Sequence, residues 1–180
     1  MNQPAPGFRE ALVSAIPNLR AFAISLTGDP HLANDLVQEA LLKAWSNRDK
    51  FEMGTNLKAW LFTILRNAFF SEFRKTRRET QDVDGEAAAR LATPPEQHGH
   101  LDLADFRKAL IRLSPDQREA LLLVGAEGFS YEEAAEISGC AVGTVKSRVN
   151  RARGRLAQLM SIGSVQDLAP ERASQAIVMR

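Results

Sequence analysis

The residues best suited to chemistry lie between Val142 and Leu159, where Lys146, Ser147, Arg148, Asn150, Arg151, Arg153 and Arg155 crowd one segment. At about 100° per residue, Val142, Val145, Val149, Ala152, Leu156 and Leu159 gather on one side of a helix, and that side reads as core. Opposite them fall Gly143, Ser147, Asn150 and Arg151, with Lys146 and Arg153 on one shoulder and Thr144, Arg148 and Arg155 on the other. Asparagine and arginine carry paired groups that match base edges in the major groove of duplex DNA. Shoulder cations and hydroxyls reach phosphates on the groove walls. A solvated basic face on any helical bundle would show the same residues, so the weight falls on what precedes this helix.

Ser130 followed by Glu133 is a capping-box signature, because the hydroxyl accepts an orphan N–H of the first turn while the carboxylate reaches back to the cap. A short helix therefore starts there and leaves through Gly139, a residue free to take the left-handed conformation. With Gly139-Cys140 as the turn, the segment reads as a helix-turn-helix whose second member is the recognition helix. Cys140 is the sole cysteine, which excludes an internal disulfide, and with His31, His98 and His100 scattered it supplies no zinc set. A helix N-terminus lowers a thiol pKa, yet a small buried spacer is the preferred reading of Cys140 over a redox sensor.

A second basic group sits on a long helical stretch from Leu57 to about Arg78. Its wheel shows a core face of Leu57, Trp60, Leu61, Ile64 and Ala68 and a further aromatic stripe of Phe62, Phe69 and Phe73, so the helix is wedged between neighbours. Between those faces runs a strip of Thr63, Asn67, Phe70 and Arg74 that leads into Arg74, Lys75, Arg77 and Arg78. Charge interleaved with aromatic and amide groups suits single-stranded DNA, which offers phosphates and unstacked bases. Trp60, Phe62, Phe69 and Phe73 are read as core, Asn67 and Arg74 as binding.

The elements that must position these helices are set by the punctuation. Phe8 to Leu26 has helical spacing with Pro17 expected to bend or divide it. Thr27-Gly28-Asp29-Pro30 is a break and restart, with aspartate at the cap and proline at the first helical position. The next helix, His31 to about Arg48, has a core stripe of Ala33, Leu36, Val37, Ala40, Leu41 and Ala44. Its other side carries Asp35, Gln38, Glu39 and Leu42, which reads evenly as a protein-binding face or as a solvated face with one stray leucine. Phe51 to Asn56 is a glycine turn in which Thr55 or Asn56 caps the long helix from Leu57. Gln81 to His100 is acidic, holds Pro94-Pro95 and reads as a linker with a little helix around Glu86 to Leu91. A second unit then starts with a helix from Leu101 to Leu113. Ser114-Pro115-Asp116-Gln117 opens the next, which runs to about Glu127 and ends at Gly128. Ser161 to Arg180 is a tail of mixed polarity.

The 180 residues carry a net charge of +1 with 44% hydrophobic and 25% charged residues, an ordinary globular composition, so any nucleic-acid contact depends on local patches. No apolar run is long enough to span a bilayer and the first residues lack the blocks of a secretion signal, so the expected location is cytoplasmic. A phosphate-binding glycine loop, a metal cluster and a hydrolase nucleophile are all missing from the sequence. The expectation is a binding protein, not an enzyme, with no cofactor.

DLVQEALLKAW, then LKAWLFTILRN with FRKTRR, then LSPDQREALLLVGAEGFSYEEAAEISGCAVGTVKSRVNRARGRL, in that order, resemble the two domains of an extracytoplasmic-function sigma factor, and in detail its general-stress-response branch. The resemblance covers roughly Phe8 to Leu159. It implies an all-α fold of two small helical domains: region 2 over 8–80, an acidic flexible linker over 81–101, region 4 over 102–160 and a tail over 161–180. It implies that Asp35, Gln38, Glu39 and Leu42 bind core RNA polymerase. Phe51, Gly54, Thr55, Asn56, Asn67, Arg74 and Lys75 would capture the unwound minus-ten strand, and the loop would receive a flipped base. In the minus-thirty-five element, Lys146, Ser147, Asn150 and Arg151 would contact bases, while Thr144, Arg148 and Arg153 would contact phosphates. Relatives often carry a serine cap where Cys140 stands, which puts the start of this helix in question. The implied partners are core RNA polymerase, promoter DNA and an anti-sigma protein of the NepR type, with a monomer when free. The rival is a sigma-like decoy that binds the anti-sigma protein and never touches DNA; a repressor acting without polymerase would leave the DLVQE stripe unexplained.

Overall fold

In this computed structural model, which describes residues 7–52, 54–82 and 103–160, the described chain folds entirely into helices and their connections. Three helices, α1 (Phe8–Thr27), α2 (Pro30–Ser46) and α3 (Leu57–Asp82), form a first bundle. Four more, α4 (Leu103–Ile111), α5 (Pro115–Gly125), α6 (Tyr131–Ser138) and α7 (Val142–Leu159), form a second. The segment read as a linker begins within α3, which continues past Arg78 through Gln81 and Asp82; the rest of it, including its short helix at 86–91, and the tail from 161 lie outside the described residues.

Local chemistry sets the helix ends. Gly28 takes φ 74° and its N–H returns to the Ile24 carbonyl, which closes α1. Asp29 then accepts the backbone N–H groups of His31 at 2.8 Å and Leu32 at 3.3 Å, with Pro30 in the first turn where its missing N–H costs nothing. Ser114 caps α5 through the Gln117 N–H at 3.3 Å. Pro17 does not divide α1. It lies on the exposed side of one continuous helix, and burial of Leu12, Leu19, Phe22 and Leu26 on both sides of it outweighs the roughly 3 kcal/mol an interior proline costs. Helix α5 also stops earlier than the sequence suggests, at Gly125, and Gly128 takes φ 74° in the connection to α6.

The first core joins the α1 stripe to Ala33, Leu36, Val37, Ala40 and Ala44 of α2 and to Leu61, Phe62, Leu65, Ala68 and Phe69 of α3. Leu41, expected in that stripe, is only half-buried. At one end Phe8, Phe51 and Trp60 pack ring to ring at centroid separations of 5.3–6.4 Å. The second core is built from Leu110, Leu113, Leu123, Phe129, Ile137, Val145, Val149 and Leu156.

The two bundles share one continuous apolar core. Phe62 of α3 lies 4.9 Å from Phe22 and meets Phe129 of the second bundle edge-on at 5.2 Å. Gly28 is pressed against α4 so closely that a β-carbon there would come within 2.6 Å of Ile111 Cδ1. Polar groups line the same seam. Arg66 Nε donates to Glu119 Oε1 at 2.8 Å, and Lys58 Nζ reaches Glu127 at both its carbonyl, 2.7 Å, and its carboxylate, 3.1 Å. Asn56 Nδ2 donates to Glu133 Oε1 at 3.0 Å. The Arg118 guanidinium, only 7% exposed, donates to the carbonyls of Leu110, Ile111 and Leu113 at the end of α4 and to that of Leu26 at the end of α1.

Two consequences are measurable. Arg118→Met removes the donors from four carbonyls in or beside buried helix ends and should lower the unfolding free energy by about 3 kcal/mol in urea titrations; an unchanged midpoint would show that water replaces the guanidinium. Glu119 is fully buried, and that burial holds its carboxyl above the usual range against the opposing pull of Arg66. The folded state therefore binds this proton more tightly than the unfolded chain, for which a glutamate titrates near about 4.3. Relative to Glu119→Gln, wild-type stability should rise as pH falls from the raised folded value toward that unfolded value and be flat below it, as read by thermal melts across pH.

Candidate nucleic-acid interface

The helix-turn-helix is built as its punctuation requires. Ser130 Oγ accepts the Glu133 N–H at 3.0 Å and Glu133 Oε2 accepts the Ser130 N–H at 2.9 Å, so both arms of the capping box close. The Ser130 backbone N–H, followed by its hydroxyl and the Asn56 amide, holds the Glu133 carboxyl below the usual range. Gly139 takes φ 64° at the end of α6. The cap of α7 is Ala141, not the residue at 140, and it offers no side-chain hydrogen bond. Cys140, half-buried, instead accepts a contact from Arg148 Nη1 at 3.7 Å.

Val145, Val149, Ala152 and Leu156 bury the inner side of α7 and so fix what faces out. Lys146, Asn150 and Arg151 are exposed, while Thr144, Ser147, Arg148 and Arg153 are half-buried. Ser147 Oγ donates to the Thr144 carbonyl at 2.9 Å and accepts from Arg151 Nη2 at 3.4 Å, which draws the arginine along the outer face. The Lys146 ammonium lies 5.7 Å from the Tyr131 ring centre, tying the recognition helix to α6. Arg148 points to its own bundle: Nη2 sits 3.5 Å from Asp116 Oδ2 on α5. Arg153 has a buried Nε with no protein partner.

On α3, Asn67, Arg74 and Lys75 are all exposed along the outer strip. Arg74 Nη2 contacts Ser71 Oγ at 3.4 Å, and Ser71, Arg74, Lys75, Arg78 and Glu79 border a shallow basic depression. Phe73, read as core, is 40% exposed and stacks on Phe69 with rings 6.0 Å apart, because the helix runs past the bundle there. In the preceding loop Gly54 takes φ 96°, and Thr55 folds back with its hydroxyl donating to the Glu52 carbonyl at 2.8 Å. Asn56 Oδ1 accepts the Ala59 N–H at 3.1 Å, so Asn56 caps α3 and spends its amide nitrogen on Glu133. Phe51 belongs to the aromatic cluster with Phe8 and Trp60 rather than standing free in the loop.

Asp35, Gln38, Glu39 and Leu42 lie together on the exposed side of α2, with Leu42 68% exposed. Glu39 pairs with Lys43 one turn on, and Trp45, under the Arg48 guanidinium at 5.3 Å, extends the apolar part of the patch. Sequence reasoning passes over Trp45, Arg66, Arg118 and Glu119. The available signal is an adjacent arginine and glutamate at the head of α5, otherwise the most apolar run in the second bundle. Among the described residues no group of histidine, cysteine, aspartate and glutamate could hold a metal, and no helix is long and apolar enough to cross a membrane.

Comparison with known proteins agrees with this layout. Sigma-70 region 2 matches residues 12–79 and Sigma-70 region 4 matches residues 103–156. The ECF RNA polymerase sigma factor EcfG of Rhodopseudomonas palustris (strain TIE-1) is 55% identical over 170 residues, 94% of each chain. The ECF sigma factor SigC of Mycobacterium tuberculosis (strain CDC 1551 / Oshkosh) is 34% identical over 134 residues, covering 74% of this chain and 72% of its own. The sigma factor RpoE of Bartonella quintana, solved in complex with the anti-sigma factor NepR, is 58% identical and superposes with a TM-score of 0.76 over 87% of this chain and 98% of its own. A Sigma-70 region 2 followed by a Sigma-70 region 4, together with 55% identity to EcfG along nearly the whole chain, makes this chain a member of the extracytoplasmic-function sigma factors of the sigma-70 family.

Proposed function

We propose that this sigma factor reads its promoter with the exposed residues of α3 and α7 and grips core RNA polymerase with the outer stripe of α2. The observation that carries this reading is the outward disposition of Lys146, Asn150 and Arg151 on one bundle and of Asn67, Arg74 and Lys75 on the other. Asn150 and Arg151, with Lys146 and Ser147, contact bases of the minus-thirty-five duplex; Thr144, Arg148 and Arg153 flank them toward the phosphates, Arg148 after leaving Asp116. Residues 8–80 act as region 2 and 102–160 as region 4, joined through 81–101, with the tail at 161–180. The loop at Phe51, Gly54, Thr55 and Asn56 receives an extruded base, its frame fixed by the Thr55 hydroxyl donating to the Glu52 carbonyl and by Asn56 Oδ1 accepting the Ala59 N–H. Flipping a base costs a few kcal/mol, which the strand contacts on α3 offset.

Each reading unit is small. Joined in one chain and held on polymerase, the second contact forms at a high effective concentration once the first is made. The protein acts in the cytoplasm as a regulator, not an enzyme. The EcfG relative and the solved complex with NepR support general stress-response promoters as its targets and an anti-sigma protein of that kind as its inhibitor. A decoy that only binds the inhibitor would leave Lys146, Asn150, Arg151, Arg74 and Lys75 without a task.

In vitro transcription with core polymerase on a promoter library should yield defined starts from one promoter class; none on any template would favour the decoy. On a selected promoter, Arg151→Ala should cost about 1–3 kcal/mol and relax preference at one base pair. Unchanged selectivity would remove Arg151 from the readout. Asp35→Ala combined with Leu42→Ala should weaken capture by core polymerase in a pull-down while the thermal melt stays close to wild type, since both side chains are exposed.

A further inference from the structure

Arg66 stands where the two bundles meet and where the minus-ten strip begins. Its side chain is 20% exposed, and Nε donates to Glu119 Oε1 of the second bundle at 2.8 Å. Its Nη1 donates to Asn67 Oδ1 at 3.2 Å, and the guanidinium lies over the Phe70 ring at 4.5 Å. Asn67 and Phe70 belong to the outer strip of α3, so one guanidinium borders both the strand-facing surface and the seam.

The pair with Glu119 is incomplete. A guanidinium and a carboxylate fit best as a fork with two parallel bonds. Here only one carboxylate oxygen is used, and Glu119 Oε2 is buried without a protein partner. A carboxylate so placed in a dry seam has given up its water for a single contact, an arrangement that holds geometry better than it lowers free energy. Arg66, by contrast, has everything a strand contact needs: a planar cation on an aromatic face beside an amide that it orients.

We infer that Arg66 is a further binding residue for the unwound minus-ten strand, and that Glu119 occupies it in place of a DNA phosphate while the bundles are docked. The two partners exclude each other, since a phosphate at the Arg66 fork would lie against the Glu119 carboxylate. Asn56 makes the same choice, its amide nitrogen being held by Glu133 at 3.0 Å. The second bundle thus presents glutamates to the strand-binding side of the first, and strand capture requires that they withdraw. This inference rests on the sigma-factor reading and extends its minus-ten site.

The test uses holoenzyme reconstituted from core polymerase and the full chain, with a forked fragment whose minus-ten segment is unpaired, taken from a template that the wild type transcribes. If no such template exists, the sigma-factor reading itself has failed, an outcome distinct from any change in fork binding. Arg66→Gln should bind the fork about tenfold more weakly, the cost of one charge-assisted contact. Its plot of log affinity against log salt should be shallower by about 0.7, the single-strand value for one lost phosphate contact. Arg66→Lys should keep the wild-type slope, and Glu119→Gln should bind at least as tightly as wild type. Equal weakening by Arg66→Gln and Glu119→Gln with an unchanged slope would mean the pair is only a structural tie, and the inference falls. It falls equally if Arg66→Gln leaves both affinity and slope unchanged. Should Glu119→Gln fail to fold, the slopes of the two Arg66 variants decide alone.

Discussion

The arrangement of the whole chain depends on two adjacent charges buried at the head of α5. Among the described residues Arg118 pairs with no carboxylate; its partners are the free carbonyls at the ends of α1 and α4, where helix dipoles place partial negative charge. Burial pulls the guanidinium down to about 10, which still leaves it cationic at neutral pH. Remove it and both helix ends lose their donors at once. Glu119, next in sequence, turns toward α3 and holds Arg66. One residue thus fastens α4 and α1 to α5 and the other adds α3, so the helix at the centre of the second bundle also fixes where the first bundle lies.

That division explains what the sequence reveals and what it withholds. Helix ends announce themselves locally: Asp29-Pro30, Ser114-Pro115, Ser130 with Glu133 and Gly139 each solve a hydrogen-bonding problem within a few residues, and each is found as read. The stripe on α7 is legible for the same reason, because burying Val145, Val149, Ala152 and Leu156 leaves Asn150 and Arg151 no other side to occupy. The end of α5 is misplaced by pattern alone because Gly125 and Gly128 are both plausible stops, and the backbone takes its positive φ at the second after the helix has closed at the first. The seam between bundles carries no such local signature. Lys58, Arg66, Glu119 and Glu127 are ordinary helix-surface residues by type and spacing, and only the fold makes them partners.

The recognition helix shows a related limit. A wheel sorts Arg148 with Thr144 and Arg155 on one shoulder, yet its guanidinium reaches sideways to Asp116 and Cys140 instead of outward. A helical wheel gives the direction of the α-carbon, and a long side chain can go elsewhere. The result is a recognition helix strapped to α5 by one arginine and to Tyr131 on α6 by Lys146, with Asn150 and Arg151 left at the free surface. Under the proposed base contacts such bracing adds to specificity, since a bidentate pair discriminates bases only when the helix that carries it is held to a fraction of an ångström.

Magnitudes decide what kind of joint the seam is. The Phe62 and Phe129 edge contact contributes about 0.5–1.5 kcal/mol beyond the area it buries. The Lys58 pair with Glu127, where the lysine is more than a third exposed, contributes about 0–1 kcal/mol. Arg66 with Glu119 gains little over the cost of drying the carboxylate, and the strongest single tie is the charge-assisted bond from Arg118 to the Leu26 carbonyl, about 1.5–3 kcal/mol. These sums are small beside the burial of either bundle's own core, where each enclosed leucine or phenylalanine contributes about 1.5–3 kcal/mol. The polar ties of the seam therefore specify one docked geometry more than they strengthen it, and the apolar burial shared through Phe62 and Phe129 adds to them.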